Sequence, residues 1–500
     1  MSITGPGSVT AANVLAQTNM MNQLNTLSEE LGTGQAAQTY SGLGSQAGLA
    51  LALGAQLSEI NGYSSSATTV GTTLSIAQSA LSQISSVGSS VQQAITQQGE
   101  FTLDDNGQTS TQESAASYLD QILSLLNTQV GDNYIFSGSA VNQPSVASTD
   151  AILNGTGTQA GLTQVIAERL QADEGTSGLG RLTVGTTNST VTIGQDGSPF
   201  GFQLAGVNSS LTGATVTGPS GSPPSISVAF GSTSPNPGDT IAFDLTLPDG
   251  SSQTITLTAT DASPPGANQF TIGATASQTA SNLQTALTTA VGNLAQTALP
   301  ASSAIAAAND FFDDPPQLVD GPPYDSATSL VNGTPANTVF WYTGENGSTP
   351  ALQTATAQVG PSMTIAYGMR ANEPAITSLL ANVAVLAATS YSASDPNAQA
   401  SYQALCQSVT SNLSPQSGTQ SISNIEADIA NAQTTVKNAS TTNTQTQTAL
   451  QDMLQGIDGV NQNQIGEDIL TLQNDLSASM SVSARLAQLS LVNYLAPVTG

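Results

Sequence analysis

A chain of 500 residues with no histidine and one cysteine, Cys406, lacks the side chains for most nucleophilic and metal chemistry. Ser-His-Asp and Cys-His pairs, the HExxH motif, His-ligated zinc and any intramolecular disulfide are all excluded. Cys406 lies in SYQALCQSV, which reads as helix, and fits a buried small hydrophobe better than a reactive thiol. Paired carboxylates are what remains for acid–base work. The adjacent pairs Asp104 and Asp105, and Asp313 and Asp314, stand in DDNG and DDPP, where turn formation and helix termination account for them. DDNG also lacks the alternating ligands and distal Glu of a calcium loop. SGLGSQAG opens a helix, but with no strand before it and no base after it there is no phosphate cradle. Trp341 in VFWYTG reads as a β-core or sheet-face aromatic. No catalytic, cofactor-binding or metal-binding residue is assigned, and the chain reads as a non-enzymatic structural protein.

Composition points the same way. Only 8% of residues are charged, against about 25% in an average soluble domain. The net charge of −28 comes from 33 acids and five scattered bases, Arg169, Arg181, Arg370, Lys437 and Arg485. Nucleic acid and anionic lipid need clustered cations and are excluded as partners. The first twenty residues show no secretory signal. The most apolar stretch, AITSLLANVAVLAA, falls short of the ~20 residues of a membrane span. This predicts a soluble protein, cytoplasmic or exported by another route, with no membrane insertion.

Periodicity then places the elements. Met20, Met21, Leu24, Leu27 and Leu31 recur at helical spacing until Gly32 and Gly34. Beyond a Gly-rich turn the pattern resumes from Leu49 to Ile60 and again from Val70 to Ile95, predicting a long helix broken or bent near Asn61 and Gly62. A third helix carries Tyr118, Ile122, Leu125, Leu126 and Val130, with a cap expected at Ser110 or Thr111. At the far end Ile422, Ile425 and Ile429 begin a helical face and Leu450 to Ile457 continue one. Ile465, Ile469, Leu472, Leu476, Met480, Leu486 and Leu489 follow at near-heptad spacing. Such narrow stripes need partners. Leu24, Leu27, Leu31, Ile465, Ile469, Leu472, Leu476, Leu486 and Leu489 are therefore the candidate assembly residues, either within one bundle or between subunits.

Between Ser139 and Ile365 the chain becomes β-rich. SISVAF, TIAFDLTLPDGSSQTITLTAT and NTVFWYTGENG alternate apolar and polar residues around PDG and ENG turns. One helical insertion, TASNLQTALTTAVGNL, and a second, AANDFFDDPPQLV, interrupt them. The fold class expected is α+β: a long helical coiled-coil core from residues 1–138 and 366–500, with a β-rich outer domain at 139–365 inserted between its halves.

The ends also carry a resemblance. LSEELGTGQAAQTYSGLGSQAGLALALGAQL resembles the N-terminal stretch shared by the bacterial flagellin family, and SASMSVSARLAQLSLVNYL is similar to the family's ending. LLNTQVGDNYIFSGSAVNQPSV is similar to the hook-filament junction (hook-associated) branch. VGPSMTIAYGMRANEPAITSLLANVAVLA resembles long alphaproteobacterial members. The resemblance implies a motility protein of the flagellum whose two termini form coiled coils lining an inner tube, with the inserted domain facing solvent. It implies as partners copies of itself or homologous axial proteins such as flagellin and hook-associated protein, the flagellar export apparatus and an export chaperone. It implies an extracellular place at the filament or hook-filament junction, and no cofactor. Two other classes compete with it. A surface adhesin or glycan-binding protein would show aromatic clusters or calcium loops in its β-rich domain, and a filament subunit with a hydrolase in its middle would need a convincing carboxylate pair.

Overall fold

The computed structural model describes residues 6–97 and 100–494, with side chains between 11 and 488. In chain order the helices are α1 Pro6–Thr33, α2 Ala47–Thr96, α3 Ser110–Leu126, α4 Thr149–Asn154, α5 Leu162–Glu174, α6 Ala276–Phe312, α7 Pro374–Ala388, α8 Ala398–Leu413, α9 Ile422–Asp458 and α10 Gln462–Tyr494. The first seven strands are β1 Gln129–Val130, β2 Asn133–Tyr134, β3 Leu182–Thr187, β4 Thr190–Gln195, β5 Gln203–Ser209, β6 Ala214–Ser220 and β7 Ser225–Phe230. The rest are β8 Thr240–Thr246, β9 Ser252–Thr260, β10 Gln269–Thr271, β11 Gln317–Val319, β12 Leu330–Asn332, β13 Thr356–Gly360 and β14 Met363–Ala366. Long helices at both ends and small sheets between them make the fold α+β.

Two compact units divide the chain. The first comprises, within the described residues, Met1–Gly71, Ala357–Ile365 and Thr434–Gly500, and the second Thr72–Thr356 and Ala366–Gln433.

The second unit is built around α6. Ala280, Leu283, Leu287, Val291, Ala295 and Leu299 recur every three or four residues and form one buried face. Against it pack the inward residues of two four-stranded sheets, ordered β3-β4-β7-β6 and β10-β9-β8-β5. Alternation sets the sheet faces: in β8, Ile241 and Phe243 sit opposite Leu257 and Ile255 of β9, and all four are buried. The β8–β9 turn closes at Asp249 and Gly250 as the PDG signal predicts. Asp249 Oδ1 accepts from Ser251 N at 3.0 Å, and Gly250 takes φ +82°, a conformation that favours glycine.

Beyond Leu299 nearly every residue of α6 to Ala308 is buried, because α5, α7 and α8 surround it there. Helix α7 is buried at twelve of its fifteen positions, which places AITSLLANVAVLAA in a globular core. With no cation available to cap its end, side-chain amides do so: Gln108 Nε2 donates to Ala387 O at 2.8 Å and Gln112 Nε2 to Thr389 O at 2.8 Å. Ser137 forms a bridge with Arg370, where Gly138 N donates to Met369 O at 2.9 Å and Ala371 N to Phe136 O at 2.8 Å. Arg370 also pairs with Glu345 at 2.7 Å.

Four local expectations change. Helix α2 runs unbroken through Asn61 and Gly62, since the buried series Ile60, Ala67, Val70 and Leu74 continues across them and outweighs the ~1 kcal/mol cost of a helical glycine. The cap of α3 is Thr109, one residue earlier than expected, in a reciprocal box with Gln112. The two helical insertions of the middle are one helix, α6, with Pro300 inside it. NTVFWYTGENG pairs only through single bridges, Tyr342 with Val146 and Thr338 with Ala160, and forms no hairpin.

Candidate assembly surface

In the first unit α1 packs along α10. The pairing is antiparallel: Gln17 Nε2 donates to Ser483 Oγ at 3.0 Å, while at the other end Val460 N donates to Gly34 O at 3.3 Å and Ala36 N to Asp458 O at 2.7 Å. Gly34 has φ +72°, so the left-handed turn that ends α1 falls on a residue with no Cβ.

On α1 the partly covered positions are Asn13, Gln17, Met20, Leu24, Leu27 and Glu30; on α10 they are Gly466, Ile469, Leu472, Leu476, Ser479 and Ser483, after buried Ile465. Both series step by three and four, so each helix turns one narrow stripe inward. Among the candidate assembly residues, Ile465 alone is buried; Leu24, Leu27, Ile469, Leu472 and Leu476 are half-covered, and Leu31 and Leu486 are exposed. Leu489 lies outside the residues whose side chains are described.

The hairpin covers little else. Val14, Leu15, Met21, Leu470, Met480 and Val482 stand about half or more exposed on the flanks of the stripes, with Leu470 at 62%. Every large apolar residue that is exposed among the described ones, Val331 excepted, belongs to this unit. One cluster of its core is Leu53, Ile60 and Leu450, with Leu57, Tyr63, Leu454 and Ile457 packed on them, and Val70, Val359, Ile365 and Val436 are buried as well. The β13–β14 hairpin is held by Asn443, whose Nδ2 donates to Val359 O at 2.9 Å. Exposed apolar residues gathered on one helical pair make it a candidate association surface.

The residues that could have carried chemistry are otherwise engaged. Cys406 is buried, and burial pushes its thiol up to about 11, which leaves it protonated and inert at neutral pH. Asp104 closes its own turn by accepting from Asn106 N and Gln108 N, and those bonds hold its carboxyl below the usual range. Asp313 caps the end of α6. Trp341 is buried on Phe312 and donates its indole N–H to Phe312 O at 3.0 Å, the last carbonyl of α6. No group of three or more His, Cys, Asp or Glu placed to hold a metal occurs among the described residues, and no described helix is long and apolar enough to cross a membrane.

Sequence reading passed over the ionic cluster of the second unit. Arg169 bonds Asp173 at 3.0 Å and also Asp310, and both Arg169 and Arg181 stack on buried Phe200, at 5.1 and 5.6 Å from its centroid. Asp173 accepts from Gly201 N at 2.8 Å, and Arg181 pairs with Asp196 at 2.9 Å. These residues tie helix α5 to the loop that enters the sheets. The only available signal was negative, namely that bases this rare carry interior structure.

The pair of α1 and α10 thus combines narrow inward stripes with open apolar flanks. Residues 8–141 match the model of the bacterial flagellin N-terminal helical region. No curated protein matches the sequence.

Proposed function

We propose that this chain is a structural subunit of the bacterial flagellum that assembles with copies of itself or with homologous axial proteins through α1 and α10. The observation that carries this reading is the run of open apolar side chains on α1 and α10, within a region whose N-terminal part matches the flagellin helical model. In isolation such a pair buries too little to offset ordering costs of about 1–2 kcal/mol per residue, and neighbouring copies would supply the missing cover. The location is then extracellular, reached through the flagellar export apparatus with an export chaperone. Within the class, the FSG segment at Phe136–Gly138 and the NYL ending favour the hook-filament junction over the filament. Residues 139–365 form the solvent-facing outer domain in this reading.

Leu472→Asp tests it. The substitution puts a charge on the inner stripe of α10, and the chain should need at least about tenfold more protein to form sedimentable polymer, equivalent to about 1.4 kcal/mol. Gln473→Glu, on the exposed side of the same helix, should assemble like the parent. Filaments of Leu472→Asp at the parent concentration, seen by electron microscopy, would count against assembly through these helices.

A further inference from the structure

Three of the five cations are engaged inside the chain: Arg169 with Asp173 and Asp310, Arg181 with Asp196, and Arg370 with Glu345. Lys437 and Arg485 are exposed, and among the described residues neither makes an ion pair. A subunit of net charge −28 that packs against its copies concentrates like charge, and these two side chains are what it can offer against that repulsion.

The second unit contains a cavity with acids in its lining. Leu352, Met369, Ile425 and Ile429 wall a cavity of about 310 Å³ whose lining also includes Glu373 and Asp428. Glu373 is half-buried beside the start of α7 and accepts from Gln420 Nε2 at 2.7 Å. Neither carboxylate has a cation within ion-pair distance among the described residues, since the nearby Arg370 is bound to Glu345 and to Gly347 O. Burial raises the Glu373 carboxyl above its usual range, and the charge of Asp428 adds to the rise. Apolar walls that carry one half-buried acid, Glu373, and one exposed acid, Asp428, suit an aliphatic stem ending in an ammonium.

The spacing of the charges on α9 selects Lys437 over Arg485. Asp428 and Lys437 lie nine residues apart on this one helix, two and a half turns at 3.6 residues per turn, so their side chains leave it on opposite sides. Acid on one side and base on the other is the arrangement of a head-to-tail contact that repeats from copy to copy, whereas a two-fold dimer would use one patch twice. Arg485, on α10, has no such relation to the cavity. We propose that the cavity lined by Glu373 and Asp428 receives the Lys437 side chain of a second copy, forming a repeating ion pair between subunits. The proposal rests on the self-assembly reading above.

Charge exchange in the full-length chain tests it, with assembly followed by sedimentation against protein concentration and folding by circular dichroism. Lys437→Glu and Asp428→Lys should each raise the concentration needed for assembly about tenfold or more, while Lys437→Glu with Asp428→Lys should recover most of the loss. Arg485→Glu, the control, should not be rescued by Asp428→Lys. A parent chain that never sediments overturns the assembly reading and this pairing with it. Normal assembly of folded Lys437→Glu, or a double variant no better than the singles, overturns the pairing alone.

Discussion

Arg169 holds two carboxylates at once, Asp173 one turn on in α5 and Asp310 near the end of α6. One guanidinium cannot neutralise both, so the buried cluster carries excess negative charge. Burial, with Asp173 and Asp313 nearby and Arg169 opposing, pushes Asp310 up to about 6 from an ordinary 3.8. Helices α7 and α8, packed on the same part of α6, carry no charged side chain. A carboxyl whose pKa is raised by folding binds more protons folded than unfolded. Stability therefore increases as pH falls through about 6 and levels off below about 4, and the ionised group is unfavourable above that window. At 1.36 kcal/mol per pKa unit the effect is at most about 3 kcal/mol. Urea unfolding of the parent and of Asp310→Asn should show the parent gaining on the variant between pH 7.5 and 4.5; parallel pH profiles would exclude the effect. In the sequence Arg169, Arg181 and Arg370 were legible only as rare and scattered bases. Apart from Asp173, four positions on from Arg169, their partners Asp310, Asp196 and Glu345 lie 141, 15 and 25 positions away, beyond any local pattern.

At the scale of elements, periodicity carried most of the reading. The stripes of α1, α2 and α10 and the alternation of β7, β8 and β9 were visible because one buried face imposes a period of 3.6 or 2 on the residue types. Where the reading failed, a tertiary contact had overruled a local signal, and α6 shows how. Pro300 has no N–H, so the Gln296 carbonyl four residues earlier loses its helical donor. Ser401 on α8 supplies it, donating Oγ to Gln296 O at 2.9 Å from a buried position. A side chain 105 positions away thus keeps the helix continuous. Ser401→Ala should cost about 0.5–1.5 kcal/mol by removing this part-buried bond. Pro300→Ala restores an N–H at the right place, so the double variant should recover much of that loss in a thermal unfolding cycle. Equal losses in the presence and absence of Pro300 would show that the two residues act independently.

For the whole molecule the question is which part can be removed without disturbing the rest. Composition divides the chain at 139 and 365, and the bridge between Ser137 and Arg370 brings the two flanks of that insertion together. Yet α6 lies within the insertion, and its later half packs on α7 and α8, which lie outside it. Joining 138 to 366 would uncover the apolar face of α7 that α6 now covers, and that chain should be insoluble. A narrower excision follows the packing. The core shared by both sheets and the first half of α6 draws its buried residues from Leu182 to Leu299, with Leu179 at its edge. Leu179 Cδ2 would lie 3.8 Å from a Cβ on Gly292, so the chain leaves this module close to where it entered. Removing 182–293 and closing the gap with a short Gly-Ser linker keeps Ala295 to Phe312 in place against α7 and α8. Asp196, Phe200 and Gly201 leave with the module, so Arg181 and Asp173 lose partners and the chain should be less stable than the parent, yet we expect it to be soluble and to form sedimentable polymer at a concentration within a few-fold of the parent. If it folds but does not assemble, the sheets themselves make subunit contacts. If the wider excision of 139–365 is as soluble as the narrow one, α6 does not have the central role in the second unit that its burial indicates.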